Sequence, residues 1–403
     1  MKTIDISYKH YKKRDDIHGT ALYPAVMVGP AQKDILLDLI DIRQHTKILD
    51  PFHGSGTALY EAATISHDVS LVGYDINPFA NLITKVKLQG VDLSCIDEDI
   101  NHLAEFIRQD TKIEMNSFYN STKWFREDII RDLTKVRSAI IQIENEHNRL
   151  YFWYIMSDVI RKHSNTRSST YKLHSKKADE ILRLQNQVIE SFMKNVKTYY
   201  GKFSNSYSNF KLKKGNSLEL LKEDNDNEFD ICITSPPYGD NATTVTYGQF
   251  SMLPLNWIDR KDLELEDWEY ENYSIIDSKS IGGCMSTSTV DSKEDIKDLL
   301  SDIPVAMQKK VLKFFNDYFQ ALNEISRVTK KYIVMTLGHR IVGGKQIELT
   351  DITVKALKQR GFDIELKLER EIFSKRIPRV IAYKDGKSIS SMNKEYVIIM
   401  KKV

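Results

Sequence analysis

Residues 47–57 read Lys-Ile-Leu-Asp-Pro-Phe-His-Gly-Ser-Gly-Thr, a short apolar strand that runs into a glycine-containing turn. Working outward from this stretch, the pattern predicts a helix over 57–66, a second strand over 70–75 and another helix that continues through Lys87. A strand, turn, helix, strand and helix in this order are typical of a parallel α/β domain. We therefore expect a parallel sheet with helices packed against it.

The rest of the chain continues this sheet after two interruptions. An irregular arm before the first strand ends in a helix predicted over 32–42, and a long, helical and charged pattern fills the region from about 96 to 202. Further strands are predicted over 209–213, 229–233, 331–337, 363–371 and 395–401, with a helix over 304–328. The simplest organisation is one α/β domain with two insertions, divided as 1–95, the helical insertion 96–205, 206–255, the second insertion 256–303, and 304–403.

The composition excludes several classes of protein. Of 403 residues, 41% are hydrophobic and 28% are charged, which is enough to bury a core. The three cysteines are far apart in sequence and form neither a disulfide framework nor a metal-ligand spacing. The N-terminus lacks a signal-like apolar segment, and no apolar stretch is long enough to span a bilayer. We expect a reduced, cytoplasmic protein that binds no metal.

The charge distribution leaves nucleic acid as a candidate ligand. The formal net charge is only +2, but binding requires a local basic face rather than a basic total. Residues 161–177 contain no acidic side chain. The candidate phosphate contacts in this run are Arg161, Lys162, Arg167, Lys172 and Lys176. The alternative is an ordinary solvated charged face.

The turn after the first strand has the features of a nucleoside-binding loop. Gly54 and Gly56 allow the backbone to turn sharply and approach a ligand, and the following helix N-terminus supplies free N–H groups. The second strand ends in an acid, Asp75, which is placed to accept hydrogen bonds from both hydroxyls of a ribose. A purely structural turn is the alternative, because a lone Gly-x-Gly is a weak motif.

Residues 233–238, Ile-Thr-Ser-Pro-Pro-Tyr, are a more specific motif. Two consecutive prolines restrict the backbone and remove two N–H donors. The Ser235 hydroxyl and the Pro236 carbonyl then form a rigid pair of acceptors beside the ring of Tyr238. This arrangement suits a planar amino group on a base that stacks against the tyrosine. The alternative is a proline-rich turn with an ordinary surface tyrosine.

Together these motifs resemble those of the S-adenosylmethionine-dependent DNA amino-methyltransferases. Residues 50–56 resemble the cofactor loop of that family, 75–78 its ribose-binding motif, and 235–238 its catalytic tetrapeptide. Residues 18–24 resemble, more loosely, the N-terminal motif that covers the methionine end of the cofactor. The resemblance implies a class I methyltransferase-like fold: α/β, with a doubly wound, mostly parallel seven-stranded sheet and a large helical insertion.

The resemblance also implies a cofactor and a set of site residues. The cofactor is S-adenosyl-L-methionine, and the catalytic residues are Ser235, Pro236, Pro237 and Tyr238. The cofactor-binding residues are Tyr23, Pro24, Asp50, Phe52, Gly54, Ser55, Gly56, Thr57, Asp75, Ile76, Asn77, Asn216 and Ser217. At Asn216 the family often has an acid that contacts the adenine, so this contact differs here.

The implied activity is methyl transfer to the exocyclic amino group of a flipped base in double-stranded DNA. A serine at position 235 is more typical of cytosine-N4 enzymes, whereas Asp or Asn there is typical of adenine-N6 enzymes. Cytosine N4 is therefore the favoured target, and adenine N6 the first alternative. An RNA base methyltransferase is disfavoured because no N-terminal RNA-binding module is recognisable. A catalytically silent DNA-binding subunit is disfavoured because the motifs are intact.

The same resemblance suggests partners and roles for the insertions. The insertion 96–205 is a candidate DNA-binding region, and 256–303 is a candidate target-recognition region. A restriction endonuclease of the same system is a candidate partner. The family is prokaryotic, and such an enzyme would act at the nucleoid.

Overall fold

The structure is a computed structural model that describes residues 6–109, 113–240, 244–266, 268, 272–281, 283, 296–372, 380–384, 387–390 and 394–403. The central sheet consists of β1 (Thr46–Asp50), β2 (Val69–Asp75), β3 (Phe210–Lys214), β4 (Phe229–Thr234), β5 (Thr329–Gly338), β6 (Phe362–Glu371) and β7 (Lys394–Lys402). Its strand order is β3-β2-β1-β4-β5-β7-β6, and β7 is antiparallel to both of its neighbours. The neighbouring pairs from β3 to β5 are parallel. The expected doubly wound, mostly parallel seven-stranded α/β fold is confirmed.

Helices lie on both faces of this sheet. The longer ones are α1 (Gly29–Leu39), α2 (Thr57–Ile65), α3 (Pro78–Gln89), α4 (Ile96–Arg108), α5 (Glu127–Ile141), α6 (Glu146–His163), α7 (Val188–Tyr199), α8 (Tyr247–Trp257), α9 (Val305–Val328) and α10 (Leu349–Lys358). Short helical segments are Lys13–Asp15, Ile17–Gly19, Ser121–Trp124, Ala178–Leu182, Tyr200–Phe203, Ser217–Leu220, Leu221–Glu223, Ile275–Lys279 and Lys297–Ser301. Two small hairpins pair Arg340–Val342 with Lys345–Ile347, and Val380–Lys384 with Lys387–Ser390.

The core follows from the alternation of side chains along the strands. Successive residues of a strand point to opposite faces of its sheet. Ile231 and Ile233 of β4 therefore join the hydrophobic cluster that contains α2, α3 and the insertion helices. Cys232, between them, joins the cluster on the other face, with α9 and α10. Both faces of β4 are buried, as expected for a central parallel strand.

The helical insertion shares the core of the sheet. Its α6 carries the run of aromatic and aliphatic residues 151–156, which is almost completely buried in the same cluster as α2 and α3. The helical pattern predicted from about 96 to 202 does not extend through residues 164–177. Here the chain turns back on itself, with a bridge between Thr166 and Ser175. Polar side chains end α6, since the Ser164 hydroxyl donates to the Arg161 carbonyl at 2.8 Å.

Helix α1 begins earlier than the sequence pattern indicated. Gly29 and Pro30 are its first residues, not part of the preceding arm, and it ends at Leu39. Proline is favoured in the first turn because the N–H it lacks would have no partner within the helix. Part of the candidate target-recognition region, residues 284–295, lies outside the described residues.

Candidate active site

The loop that joins β1 to α2, residues 51–56, is held in a conformation that requires glycine. Gly54 has a φ of +49° and Gly56 a φ of +70°, both in the left-handed region. A Cβ atom on Gly56 would lie 2.5 Å from Thr84 Cγ2 on α3. The close approach of α3 and the positive φ therefore both exclude a side chain at position 56.

His53 fixes this loop against α3. Its ring is buried, with Nε2 3.3 Å from Asn81 Oδ1 and Nδ1 3.1 Å from Thr84 Oγ1. Burial lowers the pKa of His53, so the imidazole is neutral near pH 7. Both of its partners face one side of α3. The contacts make His53 a structural member of the loop, and they do not direct it toward the tetrapeptide.

Asp75 joins the end of β2 to the same loop. Its carboxylate accepts the backbone N–H of Gly54 at 3.0 Å and that of Asn77 at 2.8 Å. Burial raises the pKa of Asp75, while these two N–H groups favour its ionised form. The Asn77 side chain caps α3 through the Phe79 N–H at 3.0 Å. The acid predicted at the end of the second strand therefore lies beside the glycine turn.

Asp50 is completely buried at the end of β1. Its Oδ1 accepts hydrogen bonds from the Phe52 N–H at 3.1 Å and from the Thr234 hydroxyl at 2.7 Å. Its Oδ2 has no hydrogen-bond partner among the residues that the structure describes. Burial raises the pKa of Asp50 to about 7. An acceptor without a partner is costly in a protein interior, so this oxygen is suited to a ligand donor.

The proline-containing tetrapeptide follows β4, which is the neighbour of β1. Ser235 Oγ lies 3.2 Å from the Tyr238 hydroxyl, and Pro236 is buried between them. The Tyr238 hydroxyl lies 3.5 Å from Glu395 Oε1 on β7, whose other oxygen binds Arg370 at 2.5 Å. Burial and the Glu395 charge raise the pKa of Tyr238, so its hydroxyl stays protonated. Pairing of β1 with β4 brings this tetrapeptide to the glycine loop.

An aromatic cluster closes one side of the loop. Tyr23, from the N-terminal arm, is buried with its ring centroid 5.9 Å from that of Tyr247 and 6.0 Å from that of Phe250 on α8. A Cβ atom on Gly54 would lie 3.6 Å from Tyr23 Cε1. The arm, the loop and α8 are thus in contact at Tyr23.

The segment after β3 adjoins the loop on its other side. The Ser217 hydroxyl donates to the Pro51 carbonyl, and the Gly215 N–H donates to the Asp75 carbonyl at 3.2 Å. Asn216 Oδ1 accepts the Leu218 N–H at 3.0 Å and so caps the following helical turn. An aspartate could make the same cap. The structure therefore brings Asn216 and Ser217 next to the glycine loop, residues 51–56.

Comparison with known proteins adds an independent observation. No family model matches the chain. The chain is 29% identical over 421 residues to the Type II methyltransferase M.MvaI of Kocuria varians, covering 95% of this chain and 90% of that protein. A solved structure of a SAM-dependent methyltransferase from Methanosarcina mazei covers 95% of this chain and 99% of its own at 11% identity, with a TM-score of 0.30.

The comparisons support the S-adenosylmethionine-dependent DNA methyltransferases as the family that this chain resembles. The full-length similarity to the Kocuria protein supports this, together with the strand order and the intact motifs. The cofactor of this methyltransferase is S-adenosylmethionine. The recognition made from residues 50–56, 75–78 and 235–238 is confirmed at this level.

The basic run of the methyltransferase divides into buried and exposed side chains. The Arg161 side chain is buried, with its guanidinium carbon 4.4 Å from the Phe250 ring centroid and Nη2 donating to the Thr170 carbonyl at 2.7 Å. The prediction that Arg161 contacts a phosphate is therefore wrong, because a buried side chain cannot reach a phosphate at the surface. Lys162 and Arg167 are exposed, and Lys172 and Lys176 are half-buried.

Several residues that support the site were not identified from the sequence of the methyltransferase. Thr234 binds Asp50, and Asn81 and Thr84 bind His53. The last two lie four and seven residues after Asn77, and residues at this spacing share one face of a helix. Helical spacing from Asn77, in the predicted ribose motif, could therefore have identified Asn81 and Thr84 from the sequence.

The described part of the methyltransferase contains no group of three or more His, Cys, Asp or Glu side chains able to hold a metal ion. Within the same residues, no helix is both long enough and apolar enough to cross a membrane. The polar groups that surround the glycine loop and the tetrapeptide lie at the carboxyl ends of β1, β2 and β4 or in the segments that contact them. These strand ends are the candidate site.

Proposed function

We propose that the protein methylates the exocyclic amino nitrogen of a flipped base at specific sites in double-stranded DNA, with cytosine N4 as the favoured target. The observation that carries the proposal is the juxtaposition of the glycine loop and the Ser-Pro-Pro-Tyr loop. The Thr234 hydroxyl, directly before Ser235, donates to Asp50 at 2.7 Å. In open α/β sheets, ligands bind outside the carboxyl ends of strands where the strand order reverses, here between β1 and β4.

The residues at these strand ends fit the cofactor. We assign the ribose hydroxyls to the Asp75 carboxylate. We assign the methionine ammonium to Asp50 Oδ2, which has no hydrogen-bond partner among the described residues. We assign further contacts to the cofactor loop and its neighbours, namely Tyr23, Pro24, Phe52, Gly54, Ser55, Gly56, Thr57, Ile76, Asn77, Asn216 and Ser217. S-adenosylmethionine supplies an electrophilic methyl group when it is bound.

The tetrapeptide prepares the amino group for attack. The amino lone pair is delocalised into the base ring, so it must be turned toward the methyl group. The Pro236 carbonyl accepts a hydrogen bond from the amino N–H and the Ser235 hydroxyl contacts the neighbouring ring edge, which favours a tetrahedral nitrogen in the transition state. No strong base is needed before attack, because the proton leaves after transfer. Stacking on Tyr238 offsets part of the few kcal/mol that base flipping costs.

The choice of base depends on Ser235. A serine hydroxyl can donate to cytosine N3 while the Pro236 carbonyl accepts from N4, whereas an ionised aspartate can only accept. Adenine presents a similar edge at N1 and N6, so cytosine is favoured mainly because the serine form is typical of cytosine-N4 enzymes. This support comes from the resemblance of the tetrapeptide.

Analysis of the product tests the proposed function. Double-stranded DNA and, in a parallel reaction, RNA are each incubated with the protein and methyl-labelled S-adenosylmethionine. Both are then digested to nucleosides that are separated by mass. We expect label in deoxycytidine. Label in deoxyadenosine alone would overturn the choice of base but keep the enzyme class. Label in RNA but not in DNA would overturn the substrate, and no transfer to either would indicate a silent subunit.

We further infer a restriction partner and a place of action. The similarity to a Type II methyltransferase supports an accompanying endonuclease of the same recognition sequence. The substrate would be the DNA of the nucleoid. The test is to incubate methylated and unmethylated DNA with the nuclease fraction of the source cells. Equal cleavage of both DNAs would argue against a partner endonuclease.

The exposed part of the basic run is expected to contact phosphates. Replacing Lys162 and Arg167 with alanine should weaken DNA binding for all sequences and flatten the slope of log K against log salt by about two, since each contact contributes about 0.9. The matched control replaces Lys309 and Lys310, two exposed cations of α9, and should leave the slope unchanged. Equal slopes in both variants would indicate that residues 161–177 form an ordinary solvated charged face and do not contact phosphates.

Proton release is expected when the cofactor binds. Burial holds the pKa of Asp50 at about 7, so this carboxyl is largely protonated at about pH 6 in the free protein. A neighbouring ammonium favours the ionised form. Binding should therefore release a proton at this pH, and affinity should rise from about pH 5 toward neutrality.

Calorimetry in two buffers of different ionisation enthalpy measures this release. Asp50→Asn should release fewer protons than the unaltered protein, and its affinity should depend less on pH. Any release that remains is attributed to Asp75, whose pKa is also raised by burial. Equal release by Asp50→Asn and the unaltered protein would contradict the assignment of the ammonium to Asp50.

A further inference from the structure

A buried lysine donates a hydrogen bond to the backbone of the cofactor loop. Lys87, near the end of α3, is 1% exposed. Its Nζ donates to the Ser55 carbonyl at 2.7 Å and lies 3.3 Å from His18 Nδ1. The Ser55 carbonyl lies between Gly54 and Gly56, where both glycines have a left-handed backbone. The lysine therefore holds the loop between its two glycines of positive φ.

The contacts continue from Lys87 to the N-terminal arm and α2. His18 Nε2 lies 2.8 Å from Glu61 Oε1. When Lys87 is charged, its ammonium can only donate, so His18 Nδ1 accepts and the proton of the neutral ring lies on Nε2, directed at Glu61. Burial, followed by the Lys87 charge, keeps the pKa of His18 well below its usual range. A neutral histidine thus connects a buried ammonium to a carboxylate.

Gly29 packs closely against His18 and Glu61. A Cβ atom on Gly29 would lie 2.7 Å from both Glu61 Oε1 and His18 Cδ2. Burial of a lysine disfavours its charged form and lowers the pKa of Lys87 to about 7. An apolar side chain would fill the same volume without that cost. What the lysine adds over an apolar residue is the hydrogen bond to the loop.

We propose that Lys87 is a positioning residue for S-adenosylmethionine. It fixes the Ser55 carbonyl and so the direction of the peptide groups on either side, which face the cofactor in the proposed function. His18 and Glu61 hold the ammonium in place and connect the arm, which carries Tyr23, to the same loop. The inference rests on the cofactor-loop assignment and is independent of which base is methylated.

Lys87→Met tests the proposal, because methionine keeps the length and apolar stem but lacks the donor. The matched control is Lys85→Met on the same helix, whose ammonium binds Glu146 at 2.9 Å and Glu264 at 3.1 Å near the surface. We expect Lys87→Met to weaken cofactor binding in calorimetry about tenfold, the equivalent of one hydrogen bond to a charged group. DNA affinity without cofactor should be unchanged.

Hydrogen exchange gives a readout that requires no cofactor. In the free protein, Lys87→Met should accelerate amide exchange in residues 51–57 while the strands β4 and β5 keep their protection. Lys85→Met should change neither quantity. Unchanged cofactor affinity and unchanged loop exchange in Lys87→Met would overturn the proposal, and so would faster exchange spread evenly over the whole chain.

Glu61→Gln is the second variant, for use if Lys87→Met does not fold. Glutamine keeps the size and one acceptor oxygen but removes the charge, so we expect a smaller loss of cofactor affinity and a smaller acceleration in residues 51–57. No change in either would count against the proposal. Cofactor binding that depends on Lys87 in a protein that methylates no DNA would overturn the proposed function and leave this inference standing.

Discussion

Gly56→Ala is expected to lower the affinity for S-adenosylmethionine by about a hundredfold. At a φ of +70°, a side chain costs about 1–2 kcal/mol. The Cβ would also lie 2.5 Å from Thr84 Cγ2, a contact that the packed helix can relieve only by moving the loop. Together these effects amount to about 3 kcal/mol, and about 1.4 kcal/mol corresponds to each tenfold change. Calorimetry with the purified variant measures the loss.

Two controls separate the close approach from a general effect of replacing glycine. Gly201→Ala should bind the cofactor normally, because no atom lies within 4 Å of the position of its Cβ. Thr84→Ala added to Gly56→Ala should recover part of the affinity, measured against Thr84→Ala alone. Normal binding by Gly56→Ala would show that the loop does not approach the cofactor.

Tyr238→Ala should give the second-largest loss, in kcat/KM for DNA. Stacking of a base on an aromatic ring contributes about 1–3 kcal/mol, which predicts a decrease of about 5- to 150-fold. Tyr238→Phe keeps the ring but loses the hydroxyl that lies 3.2 Å from Ser235 Oγ, so its loss should be smaller. Steady-state methylation of a duplex at varied DNA concentration measures both variants.

Tyr119 provides the control for this series. Its side chain is 92% exposed, and Tyr119→Ala should leave kcat/KM unchanged. Full activity in Tyr238→Ala would mean that the flipped base stacks elsewhere, and the catalytic assignment of the whole tetrapeptide would then fail. Equal losses in Tyr238→Ala and Tyr238→Phe would assign the effect to the hydroxyl.

The sheet and its loops could be predicted from the sequence because the signals for them are local. The strand predicted over 70–75 is β2 at Val69–Asp75, and the strand predicted over 229–233 is β4 at Phe229–Thr234. Buried parallel strands are short apolar runs, and the turns between them require glycine or proline. The positions of the glycine loop and the tetrapeptide follow from these runs and their order.

The polar side chains within the core could not be predicted in this way. Lys87 and Arg161 carry charges that a hydropathy pattern places at the surface, yet both are buried. Their partners come from distant parts of the chain, as with His18, which is 69 residues from Lys87 in sequence. Burial of such groups depends on tertiary contacts that satisfy their hydrogen bonds. Local charge alone therefore grouped Arg161 with the phosphate contacts.

The separation of β1 from β4 along the chain has a consequence for folding during synthesis. The hydrogen bond from Thr234 to Asp50 joins residues 184 positions apart, and β3 pairs with β2 only after the helical insertion has been made. At about 5–20 residues per second, β1 waits about 10–40 s for its second neighbour. Until then the nascent chain exposes unpaired strand edges, which are prone to aggregation. Chaperone dependence at the ribosome is therefore expected to fall in steps, first when β4 covers the edge of β1 and then when β5 and β7 cover the edges of β4 and β5.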